Sequence, residues 1–208
     1  TSWQVRCGIA SYAADLVGAL AGLPDTRVEV VPYDRQPHPR RDYQAWGEAM
    51  NGGDVAHIQH EYSFFGYLLP WRNQYGPFAA NIRKPLVITR HVTFDGPLTV
   101  GGSGLRHLAH RAKWGAYNRW LGPYARYLNK DIFAAADQVI VLSARLKDHL
   151  LARGLDAQKI HVIPAGVPQV SAPTGGAALR AAWGWADKRV LGIFGYITPA
   201  KGHLLAIQ

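Results

Sequence analysis

Cysteine is nearly absent from this sequence. Cys7 is the one cysteine in 208 residues, which excludes an internal disulfide and a cysteine-based zinc site. A reactive thiol is conceivable because Cys7 lies in a glycine-containing loop, but we interpret Cys7 as a small packing residue. The shortage of cysteine fits a reducing compartment and predicts a cytoplasmic protein.

A long apolar run is also absent. No stretch reaches the roughly 18–20 apolar residues that a membrane-spanning helix needs. Residues 1–6 contain no apolar core of a signal peptide either. The hydrophobic content is nevertheless 48%, which is enough to bury a globular core. We therefore expect a globular chain without a membrane span.

Acidic residues are scarce relative to basic ones. The chain has 14 Asp and Glu against 23 Lys and Arg, which gives a formal net charge of +9. Such a surface favours anionic partners, which include phosphates, nucleic acid and acidic lipid headgroups. The charge by itself does not distinguish among them.

Short runs rich in Val and Ile alternate along the chain with stretches of helical periodicity. Runs that are apolar at nearly every position are typical of parallel strands, because both faces of such strands are covered. The sequence therefore predicts an α/β fold with a Rossmann-like, doubly wound parallel sheet. The predicted strands are residues 28–33, 54–59, 85–90, 138–142, 159–164 and 189–195. The predicted helices are residues 9–20, residues 144–153 with Gly154 as a C-terminal stop, and residues 102–130 with a break at Gly122 and Pro123.

The pattern also predicts how the chain divides into domains. The helix that begins after Gly8 has no strand-like run before it, so we expect a missing first strand ahead of it. Residues 168–176 are rich in Pro, Gly, Ser and Thr, which is typical of a linker. We predict a first domain over residues 1–167, a linker and domain entry over 168–188, and the start of a second domain over 189–208.

Polar side chains follow two of the predicted strands at the point where each strand ends. Ligands gather at the carboxyl ends of strands in doubly wound folds, so these side chains predict a site facing a crevice. The alternative is a cluster of buried polar groups that satisfy one another. Their spacing does not indicate a metal site. The residues are His60, Glu61 and Tyr62 after one strand and His91 after the next.

Two glycine turns predict contacts to phosphate. Gly8 begins a helix whose N-terminal N–H groups suit an anion, although packing alone can also require a glycine there. Gly195 and Tyr196 follow the last predicted strand, and Lys201 lies near the start of the next helix. A lysine beside a helix N-terminus can hold a diphosphate. Neither turn is a Walker loop or the GxGxxG turn of dinucleotide-binding proteins.

Five segments in series resemble the GT-B glycosyltransferases, and specifically the retaining, family 4-like group. The segments are RCGIASYAADL, DVAHIQHEYSFFG, PLVITRHVTFD, ADQVIVLSARLKDHLLARGLDAQKIHVIPAGVP and IFGYITPAKG. The resemblance implies two Rossmann-like domains with a cleft between them, the first binding an acceptor and the second binding most of a nucleotide sugar. It implies no cofactor and no required metal.

The resemblance also assigns roles by position. We therefore predict a hexosyltransferase that moves a hexose from a nucleotide sugar to a glycan or lipid-linked acceptor with retention of configuration. The implied catalytic residues are His91 and Lys201, the donor-binding residues are Gly8, Gly195, Tyr196 and Lys201, and the acceptor-binding residues are His60, Glu61 and Tyr62.

Two departures from the family pattern leave an alternative open. Tyr196 stands where many relatives have arginine, and Ala165 stands where many have histidine. A non-catalytic GT-B-like scaffold that binds a sugar or a nucleotide would tolerate both. The family's remaining donor contacts fall after Gln208, so we expect the 208-residue chain alone to be inactive. The missing GxGxxG turn disfavours an NAD-dependent oxidoreductase, and only charge supports nucleic-acid binding.

Residues 102–126 combine basic and aromatic side chains. Five Lys or Arg residues and no Asp or Glu fall in this stretch. Amphipathic aromatic side chains suit the headgroup layer of a membrane. We therefore predict an anionic surface as a partner, with the protein held peripherally on the inner face of a membrane. A helix that buries its aromatic side chains against the sheet is the alternative.

Overall fold

The computed structural model describes residue 3 and residues 7–33, 36, 38–66, 73–91, 105–120, 132–133, 135–167, 174–193 and 203–206. The chain divides into two compact units, Thr1–Val167 and Pro168–Gln208. The sheet belongs to the first unit, and the described helices of the second unit are short.

Four strands of the first unit form one parallel sheet within the described residues. They are β1 (Ala56–His60), β2 (Leu86–Arg90), β3 (Gln138–Val141) and β4 (Ile160–Val162). Each pairs in parallel with the next, in the spatial order β1-β2-β3-β4. This arrangement confirms the predicted α/β fold with a Rossmann-like parallel sheet.

Five α-helices of the first unit lie within the described residues. They are α1 (Gly8–Ala21), α2 (Arg40–Ala49), α3 (Tyr75–Ala79), α4 (Leu105–Trp120) and α5 (Ala144–Leu151). Three of these helices, α1, α4 and α5, correspond to predicted helical stretches, and α2 and α3 were not predicted. The predicted break at Gly122 and Pro123 lies outside the described residues. Among the residues that are described, no helix combines the length and the apolar character needed to cross a bilayer.

Helix α5 begins and ends with local signals that the sequence displays. Ser143 caps its N-terminus, because the Ser143 hydroxyl accepts a 3.3 Å hydrogen bond from the Leu146 N–H. After the helix, Gly154 has a φ of +78°, a conformation that glycine adopts without steric cost. The Leu155 N–H then bonds back to the Leu150 carbonyl at 3.2 Å. The prediction of Gly154 as the stop is confirmed.

The core lies on one face of the sheet. The strand register aligns Ile58 with Ile88 and Ile88 with Val139, so these three side chains share that face. All three are at most 5% exposed. Phe133 and Leu150, both 0% exposed, belong to the same cluster. Burial of each such side chain contributes roughly 1.5–3 kcal/mol.

Two predicted strands are not formed as predicted. Residues 28–32 and 189–193 have no strand structure, and Tyr33 makes a single bridge. Residues 194–195 lie outside the described part. An extended apolar run becomes a strand only where a neighbour pairs with its N–H and C=O groups. Within the described residues neither run has a neighbouring strand, which accounts for both errors.

The second unit contains α6 (Gly176–Ala182) and α7 (His203–Ala206). The Arg180 guanidinium stabilises the turn after α6 by donating hydrogen bonds to the carbonyls of Trp185, at 2.8 Å, and Lys188. Trp183 and Trp185 pack edge to face, with ring centroids 4.6 Å apart. This end of α6 is thus held by one cation and one aromatic pair.

Candidate functional site

Strand β1 separates its polar side chains between the two faces of the sheet. Alternate residues of a strand point to opposite faces. His60 therefore lies on the core face with Ile58, whereas His57 and Gln59 lie on the opposite face. On β2 the register sets Thr89 beside Gln59 and Arg90 beside His60. Two separate polar environments result, and they have different chemistry.

His60 lies in the core and not in a crevice. Its ring is 2% exposed and packs on Phe65, Tyr75 and Phe133 at centroid distances of 5.8, 5.8 and 5.6 Å. Burial first, and then the charges of Arg90 and His91, lower the pKa of His60 to about 3. The expectation that His60 faces the crevice is therefore wrong. The reason is the strand alternation, which pairs His60 with the apolar Ile58 rather than with Gln59.

The neighbouring Arg90 shares this buried environment. Its side chain is 0% exposed, and the guanidinium carbon lies 4.5 Å from the centre of the Phe133 ring. An arginine over an aromatic face gains a cation–π attraction that increases as water is excluded. Phe133 thus contacts both His60 and Arg90. The core face at the ends of β1 and β2 is consequently a structural cluster.

The opposite face carries a continuous chain of four polar side chains. The Thr89 hydroxyl lies 2.8 Å from the His57 Nε2. That nitrogen also lies 3.3 Å from the Gln59 amide nitrogen. The Gln59 Oε1 in turn lies 2.8 Å from the His91 Nε2. The chain runs from the middle of the two strands to the residue immediately after β2.

With the Gln59 amide oriented as assigned, its contacts define a tautomer for each of the two histidines. An amide nitrogen only donates, so the Nε2 of His57 must accept from Gln59. The Oε1 of Gln59 only accepts, so the Nε2 of His91 must donate to it. In its neutral form His91 then carries a lone pair on Nδ1. Its Nδ1 can accept a hydrogen bond from a hydroxyl group.

Both imidazoles on this face are neutral near pH 7. Burial lowers the pKa of His57. Burial first, and then His57, lower the pKa of His91 to about 4. His91 is therefore suited to accept a hydrogen bond and not to act as a cation.

Helix α1 brings its N-terminus to this chain of polar groups. Tyr12 packs edge to face on His91, with ring centroids 5.0 Å apart. Gly8 lies one turn before Tyr12 on the same side of the helix. The first intrahelical bond runs from the Ser11 N–H to the Cys7 carbonyl at 3.0 Å. The N–H groups of the first turn, which precede that bond, have no intrahelical acceptor.

The glycine at position 8 is not explained by packing. A Cβ built on Gly8 would meet no atom within 4 Å, and the residue is exposed. Cys7 provides no side-chain cap, and the first turn contains no acidic residue. The positive end of the α1 dipole therefore lies one turn before Tyr12, the residue that contacts His91.

Comparison with known families decides the assignment. The profile of the family described as Glycosyltransferase Family 4 matches residues 24–169, which is more than half of the chain. The chain belongs to Glycosyltransferase Family 4. Comparison with curated proteins gives no match, and comparison with solved structures gives none either.

For this Family 4 glycosyltransferase domain, the structure places some of the predicted site residues together. His60 and His91 end neighbouring parallel strands, as predicted, since His60 is in register with Arg90. Glu61 is half-buried, and its carbonyl accepts a 3.1 Å bond from the Phe64 N–H. Tyr62 begins the 3₁₀ turn Tyr62–Phe65, with its side chain outside the described part. Gly195, Tyr196 and Lys201 also lie outside the described residues.

Four polar side chains of this glycosyltransferase domain were not singled out as site residues from the sequence. The strand alternation already set His57 and Gln59 on one face, which was the available signal. Nothing local in the sequence indicates that Thr89 and Tyr12 reach the same place, because those contacts depend on strand register and helix position. The missed residues are Tyr12, His57, Gln59 and Thr89.

The lowered histidine pKa values predict an acid-sensitive fold. In the unfolded chain the pKa of histidine is about 6.5, whereas that of His60 is about 3 and that of His91 is about 4 when folded. The unfolded state therefore binds more protons below pH 6.5. The stability is fully present above that pH and is lost as the pH falls towards the folded values.

Urea unfolding at pH 7 and pH 5 measures this effect. Because His57, His60 and His91 are all affected, unfolding at pH 5 should take up about two or more histidine protons. A His60→Phe variant keeps an aromatic ring in the core and should show a smaller loss on acidification. A His161→Phe variant, at an exposed position of β4, is the matched control. If the free energy of unfolding falls equally between pH 7 and pH 5 in wild type and in His60→Phe, the lowered pKa of His60 is contradicted.

Proposed function

We propose that the complete protein transfers a hexose from a nucleotide-diphosphate sugar to a glycan or lipid-linked acceptor with retention of configuration. The observation that carries the proposal is the chain of polar groups from Thr89 to His91, which ends at the contact of His91 with Tyr12 of α1. His91 offers an uncharged hydrogen-bond acceptor for a sugar hydroxyl. The first turn of α1, the helix whose Tyr12 contacts His91, offers N–H groups suited to a phosphate. Membership of a glycosyltransferase family supports the same reaction class.

The reaction breaks the bond between the anomeric carbon and the diphosphate oxygen, and forms a bond from that carbon to an acceptor oxygen. Negative charge develops on the departing diphosphate. The first turn of α1 at Gly8 would stabilise this charge through its backbone N–H groups. We assign Lys201, with Gly195 and Tyr196, to donor binding. With these groups the transfer requires no divalent metal.

His91 would orient the transferred sugar. Its Nε2 is engaged by Gln59, which fixes the ring and directs Nδ1 as an acceptor. Gln59 is positioned in turn by His57, and His57 by Thr89. This row of side chains would hold the Nδ1 atom of His91 in a fixed position, which lowers the entropic cost of aligning the sugar.

On the acceptor side the proposal retains Glu61 and Tyr62. Glu61 is only half-buried and follows β1 directly, so it can contact a hydroxyl of a glycan. His60 would support the acceptor side only by stabilising the fold, because its ring is enclosed by Phe65, Tyr75 and Phe133. A substitution at His60 would then affect folding before it affects acceptor binding.

Turnover of nucleotide sugars by the complete protein tests the proposal. A panel of UDP-, GDP- and ADP-linked hexoses is first screened for protection against thermal unfolding, and the stabilising donors are then assayed for release of nucleoside diphosphate with glycan and lipid-linked acceptors. We expect acceptor-dependent release with at least one donor, and an α-linked product from an α-linked donor. Donor binding without release would instead support the non-catalytic scaffold.

We further propose that α4 docks on an anionic membrane that carries a lipid-linked acceptor, on the cytoplasmic side. The helix has no Asp or Glu, and its residues Arg111, Lys113 and Arg119 are exposed. Leu108 and Trp120 are 64% and 76% exposed, which is unusual for large apolar side chains of a helix that packs fully on a sheet. Each basic residue near an acidic leaflet contributes about 1 kcal/mol.

Flotation with liposomes measures the docking. Binding to vesicles with acidic lipid should exceed binding to neutral vesicles and should fall as salt is added. The double variant Arg111→Glu with Arg119→Glu should lose this binding. The matched control is Arg41→Glu with Arg145→Glu, which makes the same charge change on α2 and α5. Equal recovery with acidic and neutral vesicles would exclude the electrostatic docking.

A further inference from the structure

The hydroxyl group of Tyr12 differs from those of the other tyrosines whose side chains the structure describes. The Tyr75 hydroxyl donates to the Ile132 carbonyl at 3.3 Å. The hydroxyls of Tyr33 and Tyr43 lie 3.4 Å apart and bond to each other. The Tyr12 hydroxyl, in contrast, has no hydrogen-bond partner among the described residues. The fold therefore leaves the hydroxyl of Tyr12 available.

The ring of Tyr12 is held in place although its hydroxyl is not. Tyr12 lies in the second turn of α1 and is half-buried. Its ring packs edge to face on the ring of His91, with centroids 5.0 Å apart and an interplanar angle of 80°. A phenylalanine would make the same ring contact, so packing does not account for the hydroxyl. Because the hydroxyl of a buried tyrosine usually finds a partner, this one indicates a ligand.

His91 offers the complementary hydrogen-bonding group on the ring that Tyr12 contacts. The His91 Nε2 lies 2.8 Å from the Gln59 Oε1 and donates to it, which leaves the lone pair of the neutral ring on Nδ1. The Tyr12 hydroxyl stays protonated near neutral pH, because burial raises the pKa of Tyr12. One uncharged donor and one uncharged acceptor are therefore carried by two rings in contact.

We propose that Tyr12 binds the transferred sugar together with His91, by donating a hydrogen bond to the hydroxyl next to the one that donates to His91. This inference rests on the proposed function, and it names two adjacent hydroxyls as the feature of the sugar that the site recognises. A hydroxyl can accept from Tyr12 and can donate to His91, whereas an ionised phosphate oxygen only accepts and would leave Nδ1 unpaired. Tyr12 is thus a specificity-determining residue.

The pairing predicts which sugars bind poorly. A sugar that lacks one of the two hydroxyls leaves one protein group without a partner. A hydrogen bond between uncharged groups contributes a factor of about 5 to 10 in affinity. We therefore expect the protein to discriminate by this factor against a donor that is deoxygenated at either of two adjacent ring positions.

Calorimetric titration of the complete protein with monodeoxy donors tests the inference. The probes are a nucleotide sugar that stabilises the protein against thermal unfolding and its analogues with one sugar hydroxyl removed at a time. We expect Tyr12→Phe to bind the parent donor about 5- to 10-fold more weakly than wild type does. The variant should bind one monodeoxy analogue as tightly as the parent donor. His91→Gln should lose the discrimination at a neighbouring ring position.

Tyr75→Phe is the matched control, because it also removes only a hydroxyl. That hydroxyl bonds to the Ile132 carbonyl, so its loss should lower Tm and leave both the affinity and the discrimination unchanged. Tyr12→Phe should do the opposite, with an unchanged Tm. A lowered Tm with wild-type affinity in Tyr12→Phe would assign the Tyr12 hydroxyl to the fold and overturn the inference.

Two further outcomes overturn the inference and leave the proposed function intact. Unchanged affinity and unchanged Tm in Tyr12→Phe would show that its hydroxyl contacts no part of the donor. An equal loss of affinity for the parent donor and for every monodeoxy analogue would show that the hydroxyl does not contact a sugar hydroxyl. If no nucleotide sugar binds the complete protein, the proposed function and this inference are both wrong.

Discussion

Replacing Lys201 with alanine in the complete protein should lower kcat/KM by about 100-fold or more. That is the scale observed when one electrostatic stabiliser of a transition state is removed, equivalent to about 2.7–4 kcal/mol. His91→Ala should be impaired to a similar degree with folding intact, because the acceptor atom Nδ1 is lost. Steady-state kinetics with a nucleotide sugar and its acceptor measure both variants.

Two further variants separate the possible roles of His91. His91→Gln can keep an amide near the former Nε2 and so preserve the contact with Gln59, but it has no acceptor at the Nδ1 position. We expect it to remain as impaired as His91→Ala. His161→Ala, which removes an exposed histidine from β4, should retain the wild-type rate. Wild-type turnover by both Lys201→Ala and His91→Ala would contradict the assigned roles.

Phe133→Ala should destabilise the domain by about 3–5 kcal/mol, the usual cost of truncating a buried phenylalanine. The side chain is 0% exposed and supports both the His60 ring and the Arg90 guanidinium. Its loss would leave a cavity beside a buried cation. Equilibrium unfolding in urea measures the change.

Trp120→Ala is the control for that measurement. Trp120 is 76% exposed, and a substitution at such a surface position usually changes stability by at most about 0.5 kcal/mol. A loss below about 1 kcal/mol for Phe133→Ala would contradict the view that the core face of β1 and β2 is a structural cluster.

The strands that the sequence predicted correctly are those with a neighbour in the sheet. The runs at 54–59, 85–90, 138–142 and 159–164 became β1 to β4, with shifts of up to two residues at each end. The run at 28–33 is also rich in valine but makes only one bridge in the described structure. The composition of a segment indicates its preference for strand structure. A strand in a sheet also needs a neighbouring strand to hydrogen-bond with, and that strand comes from elsewhere in the chain.

The candidate site was predictable in position but not in orientation. Polar residues after two strands indicated the carboxyl end of the sheet, and the register sets His60 beside Arg90. Which polar residues are enclosed in the core could not be deduced, because it depends on where the aromatic cluster of Phe65, Tyr75 and Phe133 packs. That cluster encloses His60 and leaves His57 and Gln59 to the other face.

The contact between Tyr12 and His91 illustrates the same limit. These residues are far apart in the sequence, and their rings meet because the fold brings α1 to the residue that follows β2. The motif at Gly8 did indicate a helix start that suits a phosphate. The contact that Tyr12, one turn later, makes with His91 follows from the fold and from no local pattern.

The most direct test of the account is nitrogen NMR of the imidazole side chains while a stabilising nucleotide sugar is titrated into the complete protein. We expect the Nδ1 resonance of His91 to shift with saturation, because it accepts a hydrogen bond from the sugar. The resonances of His60, in the core, and of His161, on exposed β4, should stay unchanged. Saturable binding that shifts His60 and leaves His91 unchanged would contradict the account.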